Sequence, residues 1–285
     1  MTDVTITAQM VKDLREKTGV GMSKCKEALE QSRGNVEEAI SFLRKAGLTS
    51  AAKKEGRTTK EGAVVAHIGP TDIAIIEVDA ETDFVVKNDK FIAFTKEIAE
   101  EAAKTRPASL EAFLQQPYSK DPTITIDQYR SLLIQTIGEN IVISRVTILP
   151  KKTGESIGVY SHLGGKLLTA VILKGEGEEQ LARDIGMHVA AAAPEYTSPE
   201  GIPSETLEKE KEIAREQVKG KPENIVEKIL AGKLNAFFDQ FCLTRQKYIR
   251  DDSVSVEEFV KNAGASRGKD LSIVGFVRWV AGKTA

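Results

Sequence analysis

The sequence predicts an α+β protein with small antiparallel sheets and a duplicated core, on the basis of three observations. The first fifty residues carry three short apolar stripes at helical spacing, separated by glycines. The middle of the chain repeats one pattern twice, namely a strand, a glycine-containing turn, a second strand and a helix. After three prolines between positions 194 and 203, two charged stretches with apolar stripes predict an antiparallel helical hairpin.

The N-terminal module, residues 1–54, is expected to contain three short helices with a small core of its own. Its connection Val20-Gly21-Met22 places Met22 either in that core or on a soft contact surface. The residues expected to cap or end the three helices are Thr7, Gly19, Ser23, Gly34, Asn35 and Gly47.

The core follows a polar, glycine-punctuated linker, residues 53–62, which predicts movement of the module relative to the rest. A pattern repeated over so long a period indicates duplication of one subdomain. The last strand is expected to complete the second sheet. The expected segments are strands 62–68 and 73–78 with helix 89–103, helix 127–138 with strand 140–149, strands 156–162 and 167–173 with helix 178–193, and strand 271–280.

The helical hairpin is expected to interrupt the second core subdomain. Ser204 is the expected cap of its highly charged first helix, which runs to Lys219, and residues 220–222 form the turn. A projecting hairpin contacts a partner or its own copy, or it is a peripheral elaboration. The expected divisions of the chain are 1–54 for the module, 55–140 for the first core subdomain, 141–193 and 233–285 for the two parts of the second, and 194–232 for the hairpin.

Composition narrows the classes of function. The chain has 285 residues, of which 41% are hydrophobic and 29% charged, as is typical of a soluble folded protein. Its net charge of −2 and its 6% aromatic content argue against a nucleic-acid-binding surface. No apolar stretch approaches the ~20 residues that span a bilayer, and no signal peptide is recognised. Cys25 and Cys242 lie outside any CxxC pair, which fits the reducing cytoplasm.

The segment Glu81-Thr82-Asp83-Phe84-Val85 directly follows an apolar strand and precedes a helix. It therefore places a large aromatic side chain on a strand-to-helix connection, and functional residues concentrate on such loops. Phe84 has two readings at this point. It projects outward as an anchor for a pocket on a partner, or it folds back onto the core as most Phe residues do.

Known catalytic patterns are missing from the sequence. Gly164-Gly165-Lys166 lacks the following Ser or Thr that a phosphate-binding loop requires. His67, His162 and His188 never pair at the spacing of metal ligands. His188 lies on an apolar helix face and is expected in the core, whereas His162 lies beside a glycine turn and is expected to be exposed.

One row of carboxylates is the best candidate for an enzymatic site. If the strand continued, alternation would place all of its members on one face, where they could bind Mg²⁺ or act as an acid–base pair. The alternative is a solvated surface without function. The row consists of Glu77, Asp79, Glu81 and Asp83.

Several segments together resemble the elongation factor Ts family, the guanine-nucleotide exchange factors of bacterial elongation factor Tu. The resemblance runs in family order from about residue 5 to the end of the chain. It implies an N-terminal module similar to ubiquitin-associated domains, a two-part α+β core and an inserted helical hairpin. The matching segments are 11–22, 25–29, 82–85 (Thr-Asp-Phe-Val), 137–141, 187–191 and 275–278.

The resemblance also implies a function in translation elongation. The chain would bind elongation factor Tu in its GDP-bound and nucleotide-free forms, with no direct contact to nucleic acid or membrane. Asp83 and Phe84 would enter the GTPase near its Mg²⁺, displace the ion and so release GDP, after which GTP reloads. No cofactor, bound metal or catalytic residue is expected. The positions that match partner-binding positions of the family are Thr82, Asp83, Phe84 and Val85 in the core, Arg15 and Met22 in the module, and His162 in the second subdomain.

Two departures from the family pattern change what is expected. Ser23 stands where some relatives carry a second Met, so this contact is expected to be weaker. Some relatives have a further helix after the last strand, and its contacts are not expected in a chain that stops at Ala285. The sequence leaves open whether the chain forms a homodimer or a 2:2 complex.

Two other classes of function stay open beside the exchange factor. The first is an adaptor that binds a ubiquitin-like partner through the N-terminal module. The second is a Mg²⁺-dependent hydrolase that uses the carboxylates between positions 77 and 83.

Overall fold

The computed structural model describes residues 5–216 and 223–282, with the side chains of 223–225 outside the description. The described residues form two compact units. The first reaches from the N-terminal module to Pro150 and includes Val280–Gly282, and the second is Lys151–Trp279. Each contributes a three-stranded sheet with helices, which confirms an α+β fold built on small sheets.

The first unit begins with three helices and continues with a sheet and its covering helices. Its helices are α1 (Ala8–Thr18), α2 (Met22–Gln31), α3 (Val36–Ala52), α4 (Asp83–Val86), α5 (Asp89–Thr105), α6 (Leu110–Gln115) and α7 (Ile126–Ile137). Its strands are β1 (Glu61–Ile68), β2 (Asp72–Ala80), β3 (Pro117–Tyr118), β4 (Asp121–Thr125) and β5 (Ile141–Pro150).

The second unit has a similar order, with a helical hairpin added. Its helices are α8 (Glu179–Ala192), α9 (Ser204–Glu216), α10 (Glu223–Phe241) and α11 (Val256–Ala265). Its strands are β6 (Glu155–His162), β7 (Leu167–Lys174), β8 (Lys247–Tyr248), β9 (Asp251–Ser255) and β10 (Ser272–Val280). Within the described ranges, no helix is both long and apolar enough to cross a membrane.

The N-terminal module confirms two of the expected N-caps, Thr7 and Asn35, and corrects the third, Ser23. Thr7 caps α1 by accepting from the amide of Met10, and Asn35 caps α3 through the amides at positions 37 and 38. Ser23 was expected to cap α2, but that helix already begins at Met22, after an extended Gly21. The left-handed Gly19 turns the chain sharply at the end of α1, so the next helix begins before Ser23 is reached.

Gly47 was expected to end α3, and this prediction is wrong because the helix continues to Ala52. A Cβ atom at Gly47 would lie 3.4 Å from Leu132 and from Gln135, both on α7. The missing side chain therefore lets α3 pack closely on α7. Lys24 Nζ also donates to the carbonyl of Gln135 at 3.2 Å, so the module packs against the core despite the polar linker.

The core is a duplication in which each repeat has the same strand order. In the first repeat, β2 lies between β1 and β5 and pairs antiparallel with both; in the second, β7 lies between β6 and β10. The prediction that the last strand completes the second sheet is therefore confirmed. Helix α5 packs on β1 and β2, and helix α8 packs on β6 and β7.

The duplication also includes a small β-hairpin in each repeat that the sequence reading missed. The hairpin β3–β4 leads into α7 through a capping box at Thr125, and β8–β9 leads into α11 through a capping box at Ser255. In both repeats an aromatic ring of the hairpin stacks on one of the helix. The stacked pairs are Tyr118 with Tyr129, and Tyr248 with Phe259.

The inserted hairpin consists of α9 and α10, which pack on each other. The second helix runs from Glu223 to Phe241, as the apolar residues that recur at helical spacing up to Phe241 predict. Ser204 is the first residue of α9 and not a residue that precedes it. The expected end of the first helix at Lys219 and the turn at 220–222 lie outside the described residues.

Candidate functional site

The turn that carries Phe84 is a single helical turn, α4, directly after β2. Thr82 is its N-cap, and the Thr82 hydroxyl accepts from the amide of Val85 at 3.4 Å. The amide of Lys87 donates to the carbonyl of Asp83 at 3.2 Å and closes the turn. The sequence placed Phe84 on a connection but did not predict that this connection is helical.

Phe84 projects into solvent with 81% of its surface exposed, whereas its neighbour Val85 is 6% exposed. Successive residues of a helix point about 100° apart, so a buried Val85 leaves Phe84 outside. Val85 belongs to the main apolar cluster of the first unit, together with Phe91 and Phe94 of α5. Of the two readings of Phe84, the structure therefore supports the outward one.

Asp83, next to Phe84, forms an exposed ion pair with Lys87. The Lys87 ammonium donates to Asp83 at 2.7 Å, and this hydrogen bond holds the pKa of the Asp83 carboxyl below its ordinary value. The same bond raises the pKa of Lys87. Exposed pairs of this kind contribute little to stability, so Asp83 is an ionised carboxylate that is free to change partners.

Hydrogen bonds to the loop before β5 also support the α4 turn. The Thr82 hydroxyl donates to the Glu139 carboxylate, with oxygens at 3.0 and 3.1 Å. The backbone amide of Asn140 donates to the Glu81 carboxylate at 2.6 Å. Because β2 and the loop before β5 end side by side, the residues that precede Phe84 are held by this loop.

Arg15 and Met22 of the N-terminal module flank the corner between α1 and α2. Arg15 is exposed in the last turn of α1, and Met22 is 43% exposed at the start of α2. Met22 therefore belongs to the surface and not to the core. The Lys90 ammonium donates to the carbonyl of Gly19 at 2.8 Å, which places this corner beside the N-terminal end of α5, just after the Phe84 turn.

His162 lies at the end of β6 in the second unit and is exposed, as expected. Its Nδ1 atom is 2.9 Å from the Tyr160 hydroxyl, which fixes the ring. The next residue, Leu163, is 75% exposed in the left-handed conformation, with φ of 49°. The sequence reading missed Leu163, although a large apolar residue directly before two glycines was a detectable signal.

The expected row of carboxylates does not form. Strand β2 ends at Ala80, so Glu81 and Asp83 leave the face that Glu77 and Asp79 share. Glu77 and Asp79 are buried and not solvated, with 0% and 3% exposure. Within the described parts of the chain, no group of acidic, histidine or cysteine side chains could hold a metal ion.

The two buried carboxylates have structural partners. Arg145 pairs with Glu77, the Ser144 hydroxyl donates to Asp79, and the amide of Gly282 donates to both at 3.0 and 3.2 Å. Burial raises the pKa of Asp79 to about 6, and the neighbouring charge of Glu77 adds to this effect. The pair therefore fastens residues near the C-terminus to the first sheet.

His188 is a satisfied core histidine, which confirms the expectation. It has 0% exposure, lies 2.9 Å from Gln246 Oε1 through Nε2, and accepts from the amide of Ile249 through Nδ1. Burial lowers its pKa, so it is neutral. Gly164 and Gly165 form the tight turn between β6 and β7, with positive φ at both, and do not begin a helix as a phosphate-binding loop does.

Comparison with known proteins finds relatives that match nearly the whole chain and a family model that includes the Phe84 turn. The family model described as "Elongation factor TS" matches residues 81–283. The chain is 55% identical to elongation factor Ts of Protochlamydia amoebophila over 279 residues, which cover 98% of this chain and 99% of that protein. It is 42% identical to elongation factor Ts of Chlamydia trachomatis and of Chlamydia felis over 275 residues, which cover 96% of this chain and 98% of each relative. The chain therefore belongs to the elongation factor Ts family of translation elongation factors.

Proposed function

We propose that this chain promotes guanine-nucleotide exchange on elongation factor Tu, and that it does so by binding alone. A protein that binds the nucleotide-free GTPase more tightly than the nucleotide-bound form must, by thermodynamic linkage, weaken nucleotide binding. No covalent step is needed, and no catalytic residue is assigned. As a translation factor the chain would act in the cytoplasm.

The observation that carries the proposal is the exposure of Phe84 on a turn that is otherwise fixed. Large aromatic side chains are rarely left in solvent, and at interfaces they are the typical buried anchors. Val85 fixes the turn to the core while Phe84 stands 81% exposed. The structure thus offers a rigid apolar projection whose burial in a partner would supply binding energy.

The proposed mechanism places Asp83 and Phe84 in the GTPase near its bound Mg²⁺. Phe84 would enter an apolar cleft and shift the elements that hold the ion and the phosphates. Asp83 would bring a negative charge close to the ion once its bond to Lys87 is exchanged. Every 1.4 kcal/mol lost from nucleotide binding corresponds to about a tenfold weaker affinity.

Further contacts would orient the two proteins. Arg15 and Met22 lie at a corner beside the N-terminal end of α5, so they and Phe84 can serve one surface of the first unit. His162 and the exposed Leu163 would provide a contact of the second unit, near the phosphate-binding side of the partner. Thr82 is held within the chain by its hydrogen bonds, so its proposed role is to support the turn.

The test is the release of fluorescent GDP from the matching elongation factor Tu. Phe84→Ala is expected to reduce the acceleration by about 30-fold or more, because interface anchors contribute about 2 kcal/mol or more. Ile68→Ala is the matched control. Ile68 is 61% exposed and lies at the opposite end of β1 from the residue that pairs with Ala80.

The outcomes separate the proposal from its alternatives. Strong acceleration by the wild type that Phe84→Ala loses and Ile68→Ala keeps supports exchange through the turn. Acceleration that survives Phe84→Ala keeps the exchange function but assigns it to Asp83, His162 and the contacts of the N-terminal module. No acceleration by folded wild type contradicts the proposed function.

A further inference from the structure

The loop between α7 and β5 holds the Phe84 turn and the linker of the N-terminal module in one hydrogen-bonded network. We propose that Glu139 and Asn140, which lie in this loop, are positioning residues for the Asp83–Phe84 turn; this inference rests on the proposed exchange function. We call these two residues the brace. Neither has to touch the partner, since each acts through residues that precede Phe84.

The first arm of the brace runs from Glu139 to Thr82. The Thr82 hydroxyl has one proton, which it donates to the Glu139 carboxylate at 3.0 Å. The lone pairs of this hydroxyl stay free to accept the amide of Val85 at 3.4 Å. Glu139 therefore fixes the direction in which the Thr82 cap faces α4.

This arm matters because α4 is only four residues long. An isolated helical turn is unfavourable, since its few hydrogen bonds do not offset the ordering of the backbone. The turn therefore depends on its cap and on the burial of Val85. Without Glu139, the Thr82 hydroxyl can rotate, and the direction of Phe84 is less well defined.

The second arm runs from Asn140 in two directions. The backbone amide of Asn140 donates to Glu81, the residue before Thr82, at 2.6 Å. The Asn140 side-chain amide donates to the carbonyls of Arg57 at 3.0 Å and Glu55 at 3.5 Å. Arg57 returns to Glu81 with a guanidinium contact at 3.4 Å. The linker after α3 and the Phe84 turn therefore share one set of partners.

The burial of Asn140 supports a specific role. This side chain is 1% exposed, and its Oδ1 atom has no hydrogen-bond partner within the described part of the chain. A buried polar atom without a partner costs free energy. An apolar residue would avoid this cost, so the geometry assigns Asn140 to the donation it makes to the linker and not to filling the core.

A double-mutant cycle with Phe84 tests the brace in the GDP-release assay. Glu139→Ala is expected to lower the maximal acceleration about tenfold, equivalent to about 1.4 kcal/mol, while the half-saturating concentration changes less. In the Phe84→Ala background the same substitution should change the rate by less than about twofold, because its effect passes through Phe84. Asn140→Ala should show the same dependence on Phe84 with a smaller loss.

Conservative and matched variants separate positioning from general damage. Glu139→Gln keeps an oxygen that accepts the Thr82 hydroxyl and should recover most of the acceleration. Glu100→Ala removes an exposed carboxylate of α5, away from this network, and should behave as the wild type. Equal losses from Glu139→Ala with and without Phe84 would contradict positioning and would indicate a direct contact or a global defect.

Amide hydrogen exchange of the chain alone tests the brace without the partner. Glu139→Ala should speed exchange at the amides of residues 85–88 by about tenfold, whereas Glu100→Ala should not. Wild-type acceleration of GDP release that Glu139→Ala leaves unchanged would overturn the brace and leave the proposed function intact. Wild type without acceleration would overturn both. Unchanged amide exchange in Glu139→Ala would likewise overturn the brace.

Discussion

The two repeats have the same strand order, but the connection from the middle strand to the helix differs between them: it is exposed in the first repeat and closed in the second. In the first repeat, the connection from β2 to α5 forms the α4 turn and presents Phe84 to solvent. In the second, the connection from β7 to α8 is closed, because Glu178 is buried between Arg267 at 2.9 Å and Lys269 at 2.7 Å. The same fold thus supports a projecting loop or a sealed one, depending on a few polar partners.

The repeats also differ in how closely the helix approaches the sheet. Opposite Val78 of β2 stands Ala63, and opposite Val171 of β7 stands Gly158. A Cβ atom at Gly158 would lie 2.1 Å from the backbone nitrogen of Arg183 in α8. The second helix therefore rests directly on the sheet backbone, whereas the first tolerates a methyl group.

Gly158→Ala is expected to have the largest effect on stability, because it places a first-repeat residue in the tighter repeat. Overpacking against backbone should lower the free energy of unfolding of the second unit by about 2–3 kcal/mol. Fluorescence of Trp279 in β10, the one tryptophan of the chain, reports this transition during urea unfolding. Gly275→Ala is the control, since no atom lies within 4 Å of the added Cβ. Equal stability of Gly158→Ala and wild type would show that the helices do not differ in this way.

The capping boxes at Thr125 and Ser255 have the same geometry in the two repeats, and they test whether the same geometry gives the same stability. Each hydroxyl accepts from the amide three residues later, at 3.2 Å in both cases. Thr125→Ala and Ser255→Ala should each lower the free energy of unfolding of their own unit by about 1 kcal/mol. Hydrogen exchange of α7 and α11 assigns each loss to its unit. A loss of stability in only one variant would show that the two repeats share their fold but not the contribution of the capping box to stability.

Acidification is expected to act on the two repeats with opposite sign. The pKa of Asp79 is raised to about 6 from 3.8, so the folded first repeat holds a proton that the unfolded chain releases, and stability falls as pH rises through about 6. The pKa of His188 is lowered from 6.5, so the unfolded chain takes up the proton first, and stability falls as pH drops below 6.5.

This opposition can be measured by unfolding between pH 5 and 7. The titration of Asp79 should make the first unit roughly 1 kcal/mol more stable at pH 5 than at pH 7. The second unit should become less stable over the same change. Asp79→Asn and His188→Gln remove the respective dependence. Parallel pH profiles in the two units, insensitive to these substitutions, would contradict the assignment.

Local patterns in the sequence predicted the positions of most core strands and helices. Alternating and helical periods located the strands on both sides of the hairpin turns and most of the helices, because those elements bury one face. Asn35 and Thr7 were recognisable caps, and the apolar face around His188 indicated its burial. The duplication was visible because strand, glycine turn, strand and helix recur in the same order.

The surroundings of several residues depend on tertiary contacts, which local sequence patterns do not reveal. Gly47 reads as a helix end, but its closeness to α7 makes it a packing residue inside α3. Phe84 points outward because its neighbour Val85 is buried. Both residues are apolar, so their tendency to be buried could not show which of the two would face the core. Glu77 and Asp79 read as surface charges, and their burial depends on Arg145 and Gly282, which lie far away in sequence.

The proposed mechanism is that the Phe84 turn releases GDP by disturbing the Mg²⁺ site of elongation factor Tu. The most direct measurement is the rate of GDP release with wild type and with Phe84→Ala, each with excess Mg²⁺ and with a chelator. We expect a difference of about 30-fold with Mg²⁺ that largely disappears with the chelator, because the ion then no longer holds the nucleotide. Equal rates with Mg²⁺, or a difference that the chelator leaves unchanged, would contradict it.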